Sequence, residues 1–380
     1  MNPIDVLEQV RHVSDRFAAD RHDRQRRREL DKADFEQLAA AGFLLTGVPA
    51  RSGGMFESVQ RSTRVVGEIL RVLAHGDSSV ALVASMHPVV LTAWLATDVV
   101  SDPYQAEWSE QRVLLGELAK AHWFGTITSE PGSGGDVSQT RAIARPAADR
   151  GWRLSGQKHF GSGSGITSFM LTTARAADED APDWFYADLR GVTWDGSRGI
   201  NLTAPWDGHG MAATQSHGFE FRDFPITRIA WPGNWRLLAD AAGPFVGSMF
   251  TAVILGIVET AMATARAQLS QRADSLHPYE RVEWINAEQD AWLLEQAYEG
   301  MLRAVETGAN PLRTVLLGKT TAAGLAEDCL RRLTRIMGGG TFARHSPFGF
   351  WFEDVRALGF LRPPWGLAYE ALFASSFAPR

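Results

Sequence analysis

The hydrophobic pattern of the chain changes its period twice, and this alternation limits the possible folds more than any other feature. Before residue 120, apolar residues such as Leu7, Val10 and Val13 recur every three or four positions, which indicates helices buried on one side. From Trp123 onward, short β-rich runs are separated by Gly, Asp and Pro, as in a small antiparallel sandwich or barrel. Helical spacing returns after Gly243 and continues along the rest of the chain. The sequence therefore predicts a helical part, a β part and a second helical part.

The same pattern locates individual elements. Strands are predicted at residues 123–129, 139–145, 151–155, 167–174, 184–189 and 217–222. Helices are predicted over 80–95 in the first part, and over 245–271, 279–307 and 311–337 in the last part. The last helix has favourable ends, because Pro311 suits a first turn and the three glycines that begin at Gly338 stop a helix.

Glycines and hydroxyl residues are concentrated in two loops of the β part. The first is Thr-Ser-Glu-Pro-Gly-Ser-Gly-Gly-Asp at residues 128–136, and the second is Phe-Gly-Ser-Gly-Ser-Gly at residues 160–165. A residue without Cβ adopts positive φ easily and lets backbone N–H groups approach a flat or phosphorylated ligand. An ordinary turn explains either loop taken alone. The interpretation as a ligand site depends on the wider pattern around them.

The bulk composition argues against several classes of function. The 380 residues are 45% hydrophobic and 22% charged, as in an ordinary globular protein. The net charge of −6 provides no general attraction for nucleic acid or for an anionic membrane. No stretch has the roughly 18 uninterrupted apolar residues of a membrane span, and the first residues lack the apolar core of a signal peptide. We therefore expect a cytoplasmic protein without a nucleic-acid or membrane partner.

Three segments, taken in order, resemble the acyl-CoA dehydrogenase superfamily of flavoproteins. That family carries a Thr-Glu-Pro-x-Ala-Gly-Ser-Asp loop, a Gly-x-x-x-x-Gly-x-Lys hairpin and an aromatic-x-Thr/Ser-Asn/Ser-Gly segment. The counterparts here are residues 128–136, 151–158 and 160–165. The resemblance implies an α+β multidomain fold with an N-terminal α-helical domain, a central antiparallel β-barrel or sandwich and a C-terminal four-helix bundle. The expected domain bounds are 1–120, 121–240 and 241–380.

A flavin cofactor is implied by the same resemblance. FAD is expected, with FMN as the alternative because residues 274–284 carry no clean copy of the family's Arg-x-x-Phe-Gly segment; no metal is expected. In the family, the first loop and the aromatic segment hold the flavin, and a Gln-x-x-Gly-Gly-x-Gly stretch completes the site across a dimer interface. Gly135 departs from the family's Ser, and Arg335 departs from its Gln, although an arginine also suits a phosphate. The matching residues here are Ile127, Thr128, Ser129, Gly134, Gly135, Phe160, Ser162, Arg335, Gly338 and Gly339.

The catalytic base of the dehydrogenases has no clear counterpart. In most of the family, a Glu removes the α-proton of the acyl thioester while flavin N5 accepts the hydride. The family spacing puts Arg362 at this position, and an arginine does not serve as the base. Glu370 lies further along the chain, and its ordinary interpretation is a surface helix residue. His87 is the second candidate and is equally explained as a hydrogen-bonded core residue.

The sequence leaves three functions open, since a fold does not fix its chemistry. The first, which we take as the prediction, is a flavin-dependent oxidoreductase of acyl-CoA dehydrogenase type that oxidises an acyl-thioester-like substrate. The second is a two-component flavin-dependent monooxygenase of the same fold, favoured by the missing Glu. The third is a non-catalytic partner subunit. The resemblance implies a small-molecule substrate such as an acyl-CoA, a flavin reductase or electron-transfer partner, and a homodimer or homotetramer.

Overall fold

The first part of the chain is helical in the computed structural model, which describes residues 2–149 and 151–377. Side-chain caps fix where two of its helices begin: the Asn2 side chain accepts a hydrogen bond from Asp5 N, and the Asp77 side chain accepts one from Val80 N. The helices are α1 (Pro3–Ala19), α2 (Arg21–Arg24), α3 (Lys32–Ala40), α4 (Val59–Gly76), α5 (Ser78–Leu95) and α6 (Gln105–Ala119).

The second part is a β-barrel. The strands are β1 (Phe124–Thr126), β2 (Ile143–Pro146), β3 (Trp152–Gly161), β4 (Phe169–Ala176), β5 (Pro182–Asp188), β6 (Ile200–Ala204) and β7 (His217–Arg228). They are ordered β1-β4-β2-β3-β7-β5, and an additional pairing of β4 with β5 closes the sheet, while β6 pairs with β7. Closure leaves a separate apolar core inside the barrel, which includes Phe185, Phe219 and Phe221.

Two strands follow one another along a single edge of β4. β1 pairs with Phe169–Leu171 and β2 pairs with Arg175 and Ala176, both in parallel, while β5 occupies the opposite edge of β4. The barrel is therefore mixed rather than purely antiparallel. Residues 127–142 leave β4 after β1 and return to it at β2. This loop is therefore an excursion from the wall of the barrel.

The third part is helical again. It contains α7 (Trp235–Leu269), α8 (Pro278–Thr307), α9 (Pro311–Met337), α10 (Pro347–Val355), α11 (Ala357–Phe360) and α12 (Trp365–Ser376). The predicted bounds of α8 and α9 agree with the structure to within one residue. The predicted start of α7 at residue 245 is wrong, because the helix continues through Pro244. Burial of Leu238 and Ala242 before the proline stabilises the early turns despite the lost N–H donor.

The main core joins the first and third parts of the chain. One cluster of buried residues extends from α1 to α11, and α5 and α7 contribute long buried stretches to it. Two segments, Ser78–Leu95 and Trp235–Ser275, are long and apolar enough to cross a membrane, but 83% of each apolar window is buried inside the fold. This burial is what core helices of a globular protein require.

Candidate functional site

The excursion at residues 127–142, which we name the Glu-Pro loop, is held by a buried ion pair. Lys158 of β3 donates to Glu130 Oε1 over 2.6 Å, and both side chains are buried. Glu130 also accepts hydrogen bonds from Arg141 N (2.7 Å) and Ala142 N (3.2 Å). Burial lowers the pKa of Lys158 to about 8, against the opposing effect of Glu130. The Glu130 carboxylate is therefore committed to holding the loop.

The start of the loop is fixed from two neighbouring strands. Thr172 Oγ1 of β4 donates to Ile127 O over 2.7 Å, and His159 N of β3 donates to Ser129 O over 2.8 Å. Ile127 and Thr128 are buried, whereas Ser129 is half-buried. In the structure, these three predicted residues therefore form the start of the loop, and the Ser129 side chain lies at its rim.

The glycines of the loop adopt the left-handed backbone that favours this residue. Gly134 has φ +61°, and nothing lies within 4 Å of the position that a Cβ would occupy. Gly135 has φ +85°, and a Cβ there would stand 3.1 Å from Pro364 Cγ. The close approach of Pro364 explains in physical terms why a glycine replaces the serine of the resembled family.

Phe160, the last residue but one of β3, is an exposed aromatic residue. Its φ is +59°, which is strained for a residue with a Cβ, and its surface is 56% exposed. The Trp206 ring meets it edge to face, with the ring centroids 6.1 Å apart. The strained backbone and the exposed ring make Phe160 a candidate ligand contact beside the Glu-Pro loop.

Ser162 belongs to a short chain of hydroxyl groups. Ser162 Oγ lies 2.8 Å from Ser216 Oγ, which lies 2.7 Å from Thr214 Oγ1. Gln215, in the same segment, has φ +46° and a buried Oε1 atom without a hydrogen-bond partner within the described chain. A buried acceptor left without a donor is costly unless a ligand or water supplies one.

Arg362 reaches the Glu-Pro loop from the third part of the chain. Its Nη2 atom donates to Ser129 Oγ over 3.0 Å, although the two residues are 233 positions apart. Burial lowers the pKa of Arg362 to about 10, with Asp136 acting in the opposite direction. The side chain is half-buried, and its Nη1 atom is inaccessible and has no partner among the described residues.

Lys319 of α9 holds the segment that carries Arg362. Its Nζ atom donates to Leu361 O (2.7 Å) and to Pro363 O (2.8 Å), the carbonyl groups on either side of Arg362. Burial lowers the pKa of Lys319 to about 8. We name residues 361–364 the Arg-Pro segment. The sequence analysis missed Lys319, and the available signal was a lysine within the buried stripe of α9.

The predicted C-terminal residues form a second, separate group. Arg335 is an exposed residue in the last turn of α9, with Nη1 3.7 Å from Glu283 Oε2. Gly338 and Gly339 follow it at the end of the helix, with no atom within 4 Å of their Cβ positions. Within the described residues of one chain, no hydrogen bond or ion pair connects this group with the Glu-Pro loop.

His87 lies in the core and has no free ring nitrogen. Nε2 lies 2.9 Å from Leu44 O, and Nδ1 accepts a hydrogen bond from Phe124 N over 3.3 Å. Complete burial lowers the pKa of His87 to about 4, so the imidazole stays neutral. These bonds favour the interpretation of His87 as a hydrogen-bonded core residue, because both nitrogens already bond backbone groups. Glu370, the other candidate, is exposed on α12.

Comparison with known proteins begins from sequence. No family model matches the chain. The chain is 28% identical over 241 residues to the dibenzothiophene monooxygenase of Mycolicibacterium goodii, a match that covers 61% of this chain and 54% of the relative. It is 26% identical over 372 residues to an amino sugar nitrososynthase of Streptomyces peucetius, covering 91% of this chain and 86% of the relative. The first match thus spans only about half of the relative's length.

Solved structures resemble nearly the whole chain. Butyryl-CoA dehydrogenase from Megasphaera elsdenii superposes with a TM-score of 0.83 at 17% identity, covering 99% of this chain and 98% of the other. The chain therefore has the acyl-CoA dehydrogenase fold. FMN-bound TdsC from Paenibacillus sp. A11-2 superposes with a TM-score of 0.78 at 20% identity, covering 98% of both chains. The predicted fold class is confirmed, and the sequence relatives and structural neighbours are flavoproteins of this fold.

Proposed function

We propose that this protein is a flavin-dependent monooxygenase that takes reduced FMN from a separate reductase and acts on a small molecule. The contact between Arg362 and Ser129 carries this proposal. Dehydrogenation of an acyl thioester needs a carboxylate close to the α-carbon. The position that supplies this carboxylate in the resembled dehydrogenases is an arginine here, and it stays protonated.

The carboxylates of the Glu-Pro loop do not replace the missing base. Glu130 accepts three hydrogen bonds and neutralises Lys158. Asp136 accepts hydrogen bonds from Ser138 N (2.8 Å) and Gln139 Nε2 (3.0 Å). Both groups stabilise the loop itself. When bound, reduced flavin supplies oxygen activation, a chemistry that does not depend on α-proton abstraction.

The residues of the loop fit a flavin. Gly134 leaves open space that a Cβ would fill, as a close approach to phosphate requires. Phe160 offers an exposed aromatic face to cover the ring, and Ser129 offers a hydroxyl at the rim. We infer that the flavin is held by Ile127, Thr128, Ser129, Gly134, Gly135, Phe160 and Ser162.

A second subunit completes this site in our proposal. Arg335 is exposed, and its ion pair with Glu283 is long at 3.7 Å, so the guanidinium is available to a phosphate. Gly338 and Gly339 expose backbone beside it. In a homodimer or homotetramer, this end of α9 would reach the flavin held by the neighbouring subunit.

The comparisons support the monooxygenase over the dehydrogenase. The two relatives found by sequence are named as a dibenzothiophene monooxygenase and an amino sugar nitrososynthase. FMN rather than FAD is supported by the FMN-bound TdsC structure. Residues 274–284 lack the arginine that binds the FAD diphosphate in the family, which also favours FMN, a flavin without a diphosphate.

The deciding experiment combines flavin binding with two reaction assays. The purified protein is titrated with FMN and with FAD, and the loaded protein is mixed anaerobically with a series of acyl-CoAs. A second sample receives NADH, a flavin reductase, oxygen and indole as a probe substrate. We expect tighter binding of FMN, no bleaching by acyl-CoA, and oxygen consumption that depends on the protein. Bleaching by an acyl-CoA would establish the dehydrogenase instead, and failure to bind either flavin would leave the partner-subunit function.

A further inference from the structure

We propose that Arg362 forms a binding site for the oxyanion group of the substrate, and that the substrate is therefore a small anionic molecule such as a carboxylate, nitronate or sulfinate. The inference rests on the proposed function, because it takes the Glu-Pro loop as the place where the substrate reacts. Three observations support it: the free donors of Arg362, its lack of a bonded anion, and the contacts that hold the Arg-Pro segment in place.

The guanidinium of Arg362 has unused donor capacity. Of its five N–H donors, the described chain occupies one nitrogen, Nη2, through Ser129 Oγ. Nη1 is buried and so is not accessible to a ligand, whereas Nε is not buried and donates to no atom of the described chain. The half-buried side chain still exposes part of its surface at the rim of the loop. The edge formed by Nε and the second N–H of Nη2 is suited to two-point binding of a planar oxyanion.

The charges around Arg362 do not balance within the described chain. The buried carboxylate of Glu130 is already paired with Lys158, so it does not balance the charge of Arg362. Arg362 forms no ion pair there, and the Asp136 carboxylate that attracts it is already bonded to Ser138 and Gln139. A half-buried cation without a bonded anion is destabilising. An oxyanion on the ligand would supply the missing charge.

The Arg-Pro segment is held in place by contacts on both sides of Arg362. Lys319 bonds the carbonyl groups of Leu361 and Pro363, which flank the arginine, and Pro364 packs against Gly135. These contacts hold the guanidinium in place before a ligand arrives, which lowers the entropic cost of binding. Lys319 is thus a positioning residue rather than a ligand contact.

The body of the ligand is expected to be apolar. Ser129, which Arg362 bonds, pairs through its carbonyl with His159 N, and the exposed Phe160 is the next residue of β3. An aromatic carboxylate would satisfy both the guanidinium and the ring. Benzoate is therefore the natural probe, and benzamide is its neutral counterpart of the same shape.

The test is calorimetric titration of benzoate and of benzamide into the full-length protein, with and without FMN. Wild type is compared with R362Q, with R362K, and with R356Q, which removes a surface arginine that pairs with Glu353. We expect wild type and R356Q to prefer benzoate to benzamide by about 10- to 100-fold, the range of charged hydrogen bonds. R362Q should lose this preference, and R362K should retain only part of it.

The result also separates the ligand from the flavin as the source of the oxyanion. Equal benzoate affinity in wild type and R362Q would overturn the proposal. A loss of FMN affinity in R362Q with an unchanged preference for benzoate would also overturn it, since Arg362 would then serve the flavin. Benzoate binding that requires Arg362 in a protein that binds no flavin would support the anion site while refuting the proposed monooxygenase. If R362Q does not fold, as judged by circular dichroism, R362K decides the question: affinity for benzoate equal to that of wild type contradicts two-point binding.

Discussion

The Lys158 ammonium lies 2.6 Å from Glu130 Oε1, with 0% and 4% of the respective side chains exposed. Neither charge is solvated, so each depends on the other and on the backbone N–H groups that Glu130 accepts. The pair stands between β3 and the Glu-Pro loop and therefore couples the stability of the barrel to the shape of the candidate site.

Removing one partner of this pair should be strongly destabilising. Lys158→Met leaves a buried carboxylate without its cation, and we expect the free energy of unfolding to fall by about 3 to 5 kcal/mol. The double variant with Glu130→Gln should recover part of this loss, because no unpaired charge remains. Urea unfolding measures both values. Lys120→Met is the control, since Lys120 pairs with Glu117 at the surface, and its effect should stay below about 1 kcal/mol. A double variant as unstable as Lys158→Met would contradict this account.

The hydroxyl groups of Ser129 and Ser162 provide a direct test of the flavin site. If each contributes one hydrogen bond to the flavin, loss of both in a Ser129→Ala and Ser162→Ala double variant should weaken FMN binding by about 10- to 100-fold. Fluorescence titration with FMN measures this change. Ser155→Ala is a matched control, because Ser155 lies on the same strand as the site and bonds the exposed Asp223. Unchanged FMN affinity in the double variant would remove these serines from the site.

The parts of this molecule that follow from local sequence were predicted well. The apolar stripe and terminal Pro and Gly residues define α9 at Pro311–Met337, since helix ends depend on neighbouring residues. The short strand β6 (Ile200–Ala204) was missed although Ile200, Leu202 and Ala204 alternate with polar residues, because an alternation over only five residues is a weak signal and the strand is stabilised by its pairing with β7. The family resemblance pointed to Arg362 at the position of the missing Glu, but its contact with Ser129 does not follow from local sequence, since a contact across 233 residues depends on how the third part packs onto the barrel.

Substitution of His87 should affect folding rather than proton transfer. His87→Ala removes a core ring together with the partners of Leu44 O and Phe124 N, so we expect a loss of about 2 to 5 kcal/mol in the free energy of unfolding. The pH dependence of activity, measured on the folded protein at low temperature, should keep the shape of the wild-type profile. A shifted pH profile at unchanged stability would instead support a catalytic role for His87.

Asp354 makes the stability of this protein depend on pH. The side chain accepts hydrogen bonds from Ser78 Oγ and Met211 N and so joins α10 to the first helical part and to the barrel. Burial raises the pKa of Asp354 to about 6 from an ordinary value of 3.8; the hydrogen bonds from Ser78 and Met211 oppose this effect, and the nearby Asp77 and Glu353 add to it.

Because the folded state holds this proton more tightly than the unfolded state, the stabilising contribution is full below pH 3.8 and is lost as the pH rises through about 6. Asp354→Asn keeps the shape without the charge: its Oδ1 accepts from Met211 N, and its Nδ2 donates to Ser78 Oγ, which then acts as the acceptor. We expect the variant to be more stable than wild type by roughly 3 kcal/mol at pH 8, the equivalent of about two pKa units, and by much less at pH 4. Urea unfolding at both pH values measures the difference. Asp207→Asn, at an exposed position, should show no such pH-dependent gain, and an Asp354→Asn variant equally stable relative to wild type at pH 4 and pH 8 would refute the raised pKa.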